Sequence, residues 1–130
     1  MKAYTTSIIV IIAVFFIHLG GQVGFYQHYT LFDIIPHSLA GFGAGFFFAE
    51  FFNQRLDHHF KWSVQTKDFF TVGCVFAVAI FWEIFEIITN TAGYLLFSQK
   101  YFLDTTKDIS MGVIGAIIAV MIFRKFMEKK

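Results

Sequence analysis

Apolar stretches alternate with short polar connections along the chain, and the apolar stretches cover about residues 6–24, 34–53, 69–88 and 106–123. Each stretch is close to the ~20 residues that a helix needs to cross the hydrocarbon core of a bilayer. Polar side chains gather in the connections and near one end of each stretch. This pattern predicts an all-α, polytopic integral membrane protein in which residues 1–130 form a single four-transmembrane-helix bundle.

The composition agrees with this class, because 57% of the residues are hydrophobic and 20 of the 130 are Phe. A soluble domain of this length would not bury so much apolar surface. The net charge of +1 gives no indication of a nucleic-acid partner, and the chain has no basic stripe of the density that such a partner requires. Cys74 is the only cysteine, which excludes an intramolecular disulfide. The first stretch resembles a signal peptide but has no clear cleavage site after it, so we expect it to be retained.

Lys and Arg are distributed unevenly between the two sides of the predicted bundle. The side that holds both termini and the second connection carries eight of them, and the other side carries two. They are Lys2, Arg55, Lys61, Lys67, Arg124, Lys125, Lys129 and Lys130 on the first side, and Lys100 and Lys107 on the second. Because short cytoplasmic loops are rich in Lys and Arg, both termini are predicted to lie in the cytoplasm, with the chain in the cell inner membrane.

The most informative polar residues are Glu83 and Glu86, which lie three residues apart inside the third stretch. At that spacing they share one helix face. An ionisable side chain at membrane depth costs about 3 kcal/mol, so the pair predicts a partner: a cation, a shared proton or donors on neighbouring helices. The alternative is that both reach outward to the headgroups. Glu83 lies about 7 Å below the expected end of the span, which disfavours that alternative.

The other spans carry polar residues at a similar depth in the predicted outer half of the membrane. They are His18 and Gln22 in the first, Asp33 and His37 in the second, Asn90 after the third, and Asp104 and Asp108 in the fourth. In the inner half, Glu50 is the only deep acid.

Small residues follow these polar positions on the same helix faces. Gly41 and Gly45 follow His37 at steps of four, and Gly112 and Ala116 follow Asp108. Small residues at this spacing let membrane helices approach closely, so the polar face is predicted to point into the bundle.

These residues predict one shared site for a divalent metal ion. Its expected ligands are His37, Glu83, Glu86, Asp104 and Asp108, and the catalytic candidates among them are Glu83, Glu86 and Asp108. Carboxylate oxygens suit Mg²⁺, Mn²⁺ or Ca²⁺, and a mixture with imidazole also allows Zn²⁺ or iron. A competing interpretation remains open, because Thr105-x-x-Asp108 also has the spacing of a capping box at the start of the fourth helix. The roles of Asp33, His18 and Asn90 are left open.

Several of these motifs occur in an order that resembles a known family. They are His37-x-x-x-Gly41, Trp82-Glu83-x-x-Glu86, Asp104-Thr105-x-x-Asp108 and Gly115-Ala116. The arrangement resembles the YjdF-like small bacterial inner-membrane proteins and, more distantly, the VanZ-like family, over about two-thirds of the chain. One departure is Gly112, where those families typically carry Asn. The resemblance implies a role in the cell envelope and does not imply a particular reaction.

Three functions are compatible with these features. The first is a metal-dependent membrane hydrolase or transferase that acts on a lipid or lipid-linked headgroup, with the metal polarising a phosphoryl or carbonyl oxygen or activating a water. The second is an ion- or proton-handling membrane protein. The third is a non-catalytic accessory subunit of a membrane complex. The expected partners are therefore membrane lipids and a lipid-linked substrate, with a homo-oligomer or a partner membrane subunit as further alternatives.

Overall fold

The chain folds into helices in a computed structural model that describes residues 3–20, 34–56, 61–89 and 98–127. The helices are α1 (Ala3–Gly20), α2 (Ile34–Phe51), α3 (Val64–Thr89) and α4 (Gln99–Met127). A π-helical turn, Phe52–Leu56, continues α2. The all-α class is confirmed, and one helix lies on each of the four apolar stretches.

Three of the helices in the described ranges are long and apolar enough to cross a membrane, namely α2 with its π-helical turn, α3 and α4. The surface of α3 is the most apolar, since Phe69, Phe81 and Ile88 are each more than 70% exposed. An exposed apolar surface of this kind is unfavourable in water and typical of contact with lipid. A membrane protein is therefore the class that the structure supports. The fourth span, on α1, and the orientation of the termini stay predictions.

The orientation is tested with two matched cysteine variants in a Cys74→Ala background. Gln65 and Gln99 are both exposed and lie at the first turns of α3 and α4. Because of the asymmetry of Lys and Arg, we expect a membrane-impermeant maleimide to label Gln99→Cys in intact cells and to leave Gln65→Cys unlabelled. Both variants should react after lysis. Labelling of Gln65→Cys alone in intact cells would reverse the predicted orientation.

Helix α2 occupies the centre of the bundle and is in contact with α1, α3 and α4. Its closest contact is with α4, where small residues bring the two backbones together as the four-residue spacing predicts. A Cβ atom added to Gly41 would lie 2.6 Å from the carbonyl carbon of Gly112. A Cβ atom added to Gly45 would lie 2.9 Å from the Cα atom of Ala116. Only residues without a side chain permit such an approach.

Below this contact, in the direction of the predicted cytoplasmic side, α2 and α4 enclose an apolar core. It contains Phe46, Ala49, Ala119 and Phe123, all buried. The rings of Phe46 and Phe123 meet edge to face with centroids 6.3 Å apart. Burial of side chains of this size stabilises a soluble core by about 2 kcal/mol each, but in lipid the corresponding gain comes from close packing between helices. The core therefore fixes α2 and α4 against each other.

Helix α4 begins earlier than the fourth apolar stretch. The backbone N–H of Tyr101 donates to Oγ of Ser98 at 3.2 Å, and the N–H of Phe102 donates to the carbonyl oxygen of Ser98 at 3.2 Å. Ser98 is therefore the N-cap. The interpretation of Thr105-x-x-Asp108 as a capping box is wrong, because both residues lie inside the helix. The apolar pattern marks where a helix enters the bilayer, and the helix itself extends beyond that point.

Glu50, the deep acid of the predicted inner half, is 3% exposed. It lies just before the π-helical turn, and Gln54 in that turn donates from Nε2 to Oε1 of Glu50 at 2.9 Å. The neighbouring Asn53 side chain donates to the carbonyl oxygen of Ala49 at 2.7 Å. Amide side chains of the turn thus donate to one oxygen of the Glu50 carboxylate and to one backbone carbonyl at the C-terminal end of α2, while Oε2 of Glu50 is buried without a hydrogen-bond partner among the described residues.

Candidate metal site

The side chains of His37, Glu83 and Asp108 meet where α2, α3 and α4 converge. Each offers one ligand atom, and the three atoms all lie within 4.8 Å of one another. Nε2 of His37 is 3.8 Å from Oδ2 of Asp108. Glu83 is 7% exposed and Asp108 is 2% exposed, so two carboxyl groups are buried in a bundle of apolar helices. These are three of the five residues that the sequence predicts as ligands.

The three side chains converge because each has a small residue one helical turn further into the bundle. Gly41 follows His37 on α2 and Gly112 follows Asp108 on α4, and their backbones are in contact. Ala79 precedes Glu83 on α3, and its Cβ atom lies 3.8 Å from the position of a Cβ atom added to Gly112. We call Ala79, Gly41 and Gly112 the small-residue floor. The floor lets the three helix axes approach, and this approach brings the longer side chains above it into reach of one another.

A lysine completes one side of this group. Nζ of Lys107 lies 2.6 Å from Oδ1 of Asp104 and 3.4 Å from Oδ1 of Asp108. Asp108 therefore has His37 near one carboxylate oxygen and Lys107 near the other. The sequence pattern predicts for Lys107 only a contribution to the orientation of the bundle. The available signal was its spacing of three residues from Asp104 on a helix, a distance at which opposite charges pair.

The structure does not bring the remaining two predicted ligands, Glu86 and Asp104, into the group of three. The indole N–H of Trp82 donates to Oε1 of Glu86 at 2.8 Å, near the surface of α3. Asp104 is 27% exposed in its side chain and faces Lys107. The structure does not describe the other polar residues predicted at the same depth, which are Asp33, Asn90, Gln22 and the side chain of His18.

Comparison with known proteins gives a family. Almost the whole chain, residues 2–129, matches a family described as predicted membrane protein, DUF2238. The chain belongs to this family. The description agrees with the three apolar helices that are long enough to cross a membrane. No curated protein and no solved structure matches the chain. Its narrower resemblance to YjdF-like and VanZ-like proteins stays a prediction.

The charges around the site favour a bound cation. Among the residues that the structure describes around the site, Glu83, Asp104 and Asp108 contribute three negative charges when ionised and Lys107 contributes one positive charge, which leaves a net charge of two negative. Two carboxylates about 5 Å apart repel each other by about 3 kcal/mol at an effective dielectric constant of about 20. A divalent ion would bring the net charge to zero and convert this repulsion into attraction.

The number of protein ligands determines how many coordination positions on a bound metal ion would remain open. A tetrahedral Zn²⁺ ion with ligands at about 2.0–2.1 Å requires ligand atoms about 3.4 Å apart. The separations of up to 4.8 Å would therefore close by about 1 Å, which rotation of the Glu and His side chains supplies. Three protein ligands leave a fourth position for water or a substrate oxygen. Open positions of this kind distinguish catalytic metal sites from structural ones.

Proposed function

We propose that this protein binds one divalent transition-metal ion, Zn²⁺ or Mn²⁺, inside the membrane at His37, Glu83 and Asp108. The observation that supports this proposal is the convergence of three ligand atoms within 4.8 Å, two of them on side chains that are almost fully buried. The imidazole favours Zn²⁺ over Mg²⁺ and Ca²⁺, and the two carboxylates also suit Mn²⁺. The site would lie in the outer half of the inner membrane, with both termini in the cytoplasm.

A metal-free polar cluster is the competing explanation, and the burial argues against it. A buried carboxylate that lacks full compensation destabilises a protein strongly, and two in one place add mutual repulsion. Lys107 contributes one positive charge, at 3.4 Å from Asp108 and 2.6 Å from Asp104, and it is shared between them. Among the charged side chains that the structure describes here, one shared ammonium carries less charge than Glu83, Asp104 and Asp108 carry together, and a divalent ion would balance the difference.

The open coordination position gives the metal a chemical role. A metal ion with a free position polarises a phosphoryl or carbonyl oxygen, or lowers the pKa of a bound water until hydroxide forms. Trp82 is 37% exposed next to Glu83, and Tyr101 lies two turns before Asp108, so aromatic side chains flank the site. Aromatic residues of this kind typically lie at the level of lipid headgroups. We infer a metal-dependent hydrolase or transferase acting on a lipid or lipid-linked headgroup, with Glu86 as a nearby base.

Ion conduction is the second function that the sequence suggested, and the packing below the site disfavours it. Gly41 and Gly112 are in backbone contact, and Gly115 lies so close to α2 that an added Cβ atom would be 2.8 Å from the amide nitrogen of Phe42. A contact of this kind leaves no space for a hydrated ion along the seam between α2 and α4. The seam between α2 and α4 is therefore closed to a hydrated ion below the site.

The proposal is tested by metal content. Purified protein should be stripped with a chelator, reconstituted in nanodiscs and titrated with Zn²⁺ and with Mn²⁺. We expect one ion per chain and a melting temperature that rises with metal concentration. At a metal concentration a hundredfold above the dissociation constant, the free energy of unfolding should increase by about 2.7 kcal/mol. His37→Ala and Asp108→Asn should abolish both effects. Asp68→Asn, which removes an acid paired with Arg124 at the far end of α3, should abolish neither.

A wild-type protein that binds neither metal at a stoichiometric level, or an Asp108→Asn variant that binds metal as the wild type does, would contradict the proposal. In the second case the measured ion would have to be held elsewhere in the chain.

A further inference from the structure

The Asp108 carboxylate lies between the proposed metal position and the ammonium group of Lys107. Its Oδ2 atom lies 3.8 Å from Nε2 of His37, on the side where the metal would bind. Its Oδ1 atom lies 3.4 Å from Nζ of Lys107. A single carboxylate thus stands between the metal position and an ammonium group. Since Asp108 is only 2% exposed, the carboxylate is held in this place by the packing of α4.

We propose that the metal-loaded site binds a phosphate group, with Lys107 as the second positive group that holds it. This inference rests on the proposed function, because the metal supplies the first positive group. One phosphate oxygen would occupy the open coordination position, and another would accept hydrogen bonds from the Lys107 ammonium.

The distances fit a bridging phosphate. The two oxygens of a carboxylate are about 2.2 Å apart, so an ion on one side of Asp108 and an ammonium on the other are separated by about 5 to 7 Å. A phosphate with oxygens about 2.5 Å apart, a metal–oxygen bond of about 2.1 Å and a hydrogen bond of about 2.8 Å spans the same range. Lys is a compact point charge with three donors, which suits an oxygen-rich anion.

Metal binding would also weaken the ion pair between Lys107 and Asp108. Without metal, its ammonium neutralises part of the charge on Asp104 and Asp108. A metal ion on Asp108 takes over that neutralisation and weakens the attraction between Asp108 and Lys107. Lys107 has a side chain 31% exposed, so it has room to turn toward a ligand at the metal. The order of binding is therefore metal first and phosphate second.

The position of the site favours a lipid as the source of the phosphate. Tyr101 lies two helical turns before Asp108, toward the predicted level of the headgroups, and both Lys107 and Asp104 between them are partly exposed. A phosphomonoester lipid such as phosphatidic acid carries the required group. Inorganic phosphate offers the same oxygens from the aqueous side, so the experiment has to separate the two sources.

The experiment uses Mn²⁺ as both ligand and probe, because its unpaired electrons broaden the ³¹P resonance of any phosphate bound beside it. Full-length protein in phosphatidylcholine nanodiscs is loaded with Mn²⁺, and binding of Mn²⁺ is measured first by its own spin resonance. Inorganic phosphate is then titrated in one arm, and phosphatidic acid is included in the nanodisc in a second arm. We expect selective broadening of the phosphatidic acid resonance relative to phosphatidylcholine.

The variants separate this inference from the metal site. Lys107→Met should bind Mn²⁺ at least as tightly as the wild type, since a competing cation is removed, and should bind phosphate at least tenfold more weakly. Lys107→Arg should recover part of that loss. Asp104→Asn should strengthen phosphate binding, because it removes a repelling charge that also holds Lys107. Lys100→Met, an exposed lysine on the same helix, is the matched control and should change neither measurement.

Each outcome has one meaning. Phosphate binding that is unchanged in Lys107→Met overturns the role of Lys107 and leaves the metal site intact. Broadening by inorganic phosphate alone rejects the lipid source, and broadening of neither ligand in metal-loaded wild type rejects phosphate binding. Failure of the wild type to bind Mn²⁺ overturns this inference, and if Zn²⁺ also fails to bind, the proposed function falls with it.

Discussion

Replacing Glu83 by glutamine is expected to lower the affinity for Zn²⁺ by more than about a hundredfold. Loss of a group that only supports a ligand already costs tenfold to a hundredfold, and Glu83 is itself one of the three ligands. The same substitution should raise the melting temperature of the metal-free protein, because it removes one of two buried carboxylates that repel each other. Calorimetric titration with Zn²⁺ and thermal unfolding with and without metal measure the two effects, which have opposite signs.

Glu86→Gln is the matched control, since Glu86 lies one turn further along α3 and accepts a hydrogen bond from Trp82. We expect its Zn²⁺ affinity to stay within a few-fold of the wild type, and its metal-free melting temperature to show no increase. Equal losses of affinity in the two variants would mean that Glu86 turns inward when metal binds, and the site would then have the wider ligand set that the sequence predicts. If the Glu83→Gln variant bound Zn²⁺ with the affinity of the wild type, the proposed metal site would be wrong.

Gly41→Ala is expected to destabilise the protein by about 3 kcal/mol or more and to abolish Zn²⁺ binding. A Cβ atom at this position would lie 2.6 Å from the carbonyl carbon of Gly112, and a backbone atom cannot move aside as the end of a side chain can. The helices must separate, and His37, one turn above Gly41, then moves away from Asp108. Chemical unfolding in detergent micelles and Zn²⁺ titration measure the two losses.

Gly73→Ala provides the comparison for this prediction. Gly73 lies on α3, and an added Cβ atom meets nothing within 4 Å. Alanine is the better helix former by about 1 kcal/mol, so this variant should be equally or slightly more stable and should bind Zn²⁺ normally. If Gly41→Ala behaved in the same way as Gly73→Ala, the close backbone contact would not determine the geometry of the site.

Much of the fold follows from the sequence because a bilayer restricts the alternatives. Spans have a nearly fixed length and must satisfy their own backbone, so the four apolar stretches predict the four helices directly. Helix ends outside the bilayer are under no such restriction. For this reason the start of α4 at Gln99, capped by Ser98, could not be found from the apolar pattern, and the spacing of Thr105 and Asp108 left a capping box open as an alternative.

The site was predictable to the extent that helix faces determine it. His37, Glu83 and Asp108 share faces with Gly41, Ala79 and Gly112, and the spacing of four residues relates each ligand to its small neighbour. What spacing does not give is the rotation of α3 about its axis, which points Glu83 inward and leaves Glu86 beside Trp82. Spacing also does not show that the Lys107 side chain is long enough to fold back toward the carboxylate of Asp108, the next residue in the chain.

The small-residue floor has a consequence for how the protein is made. Its glycines come from α2 and α4, which are separated in the chain by the whole of α3, and Asp108 belongs to the last of the three helices that form the candidate site. Until α4 joins the bundle, His37 and Glu83 have neither Asp108 nor a closely packed backbone beside them. Packing of α4 against α2 and assembly of the candidate site are therefore expected to be one event. A chain that lacks α4 would leave the Glu83 carboxyl group without this packing, which is unfavourable at membrane depth.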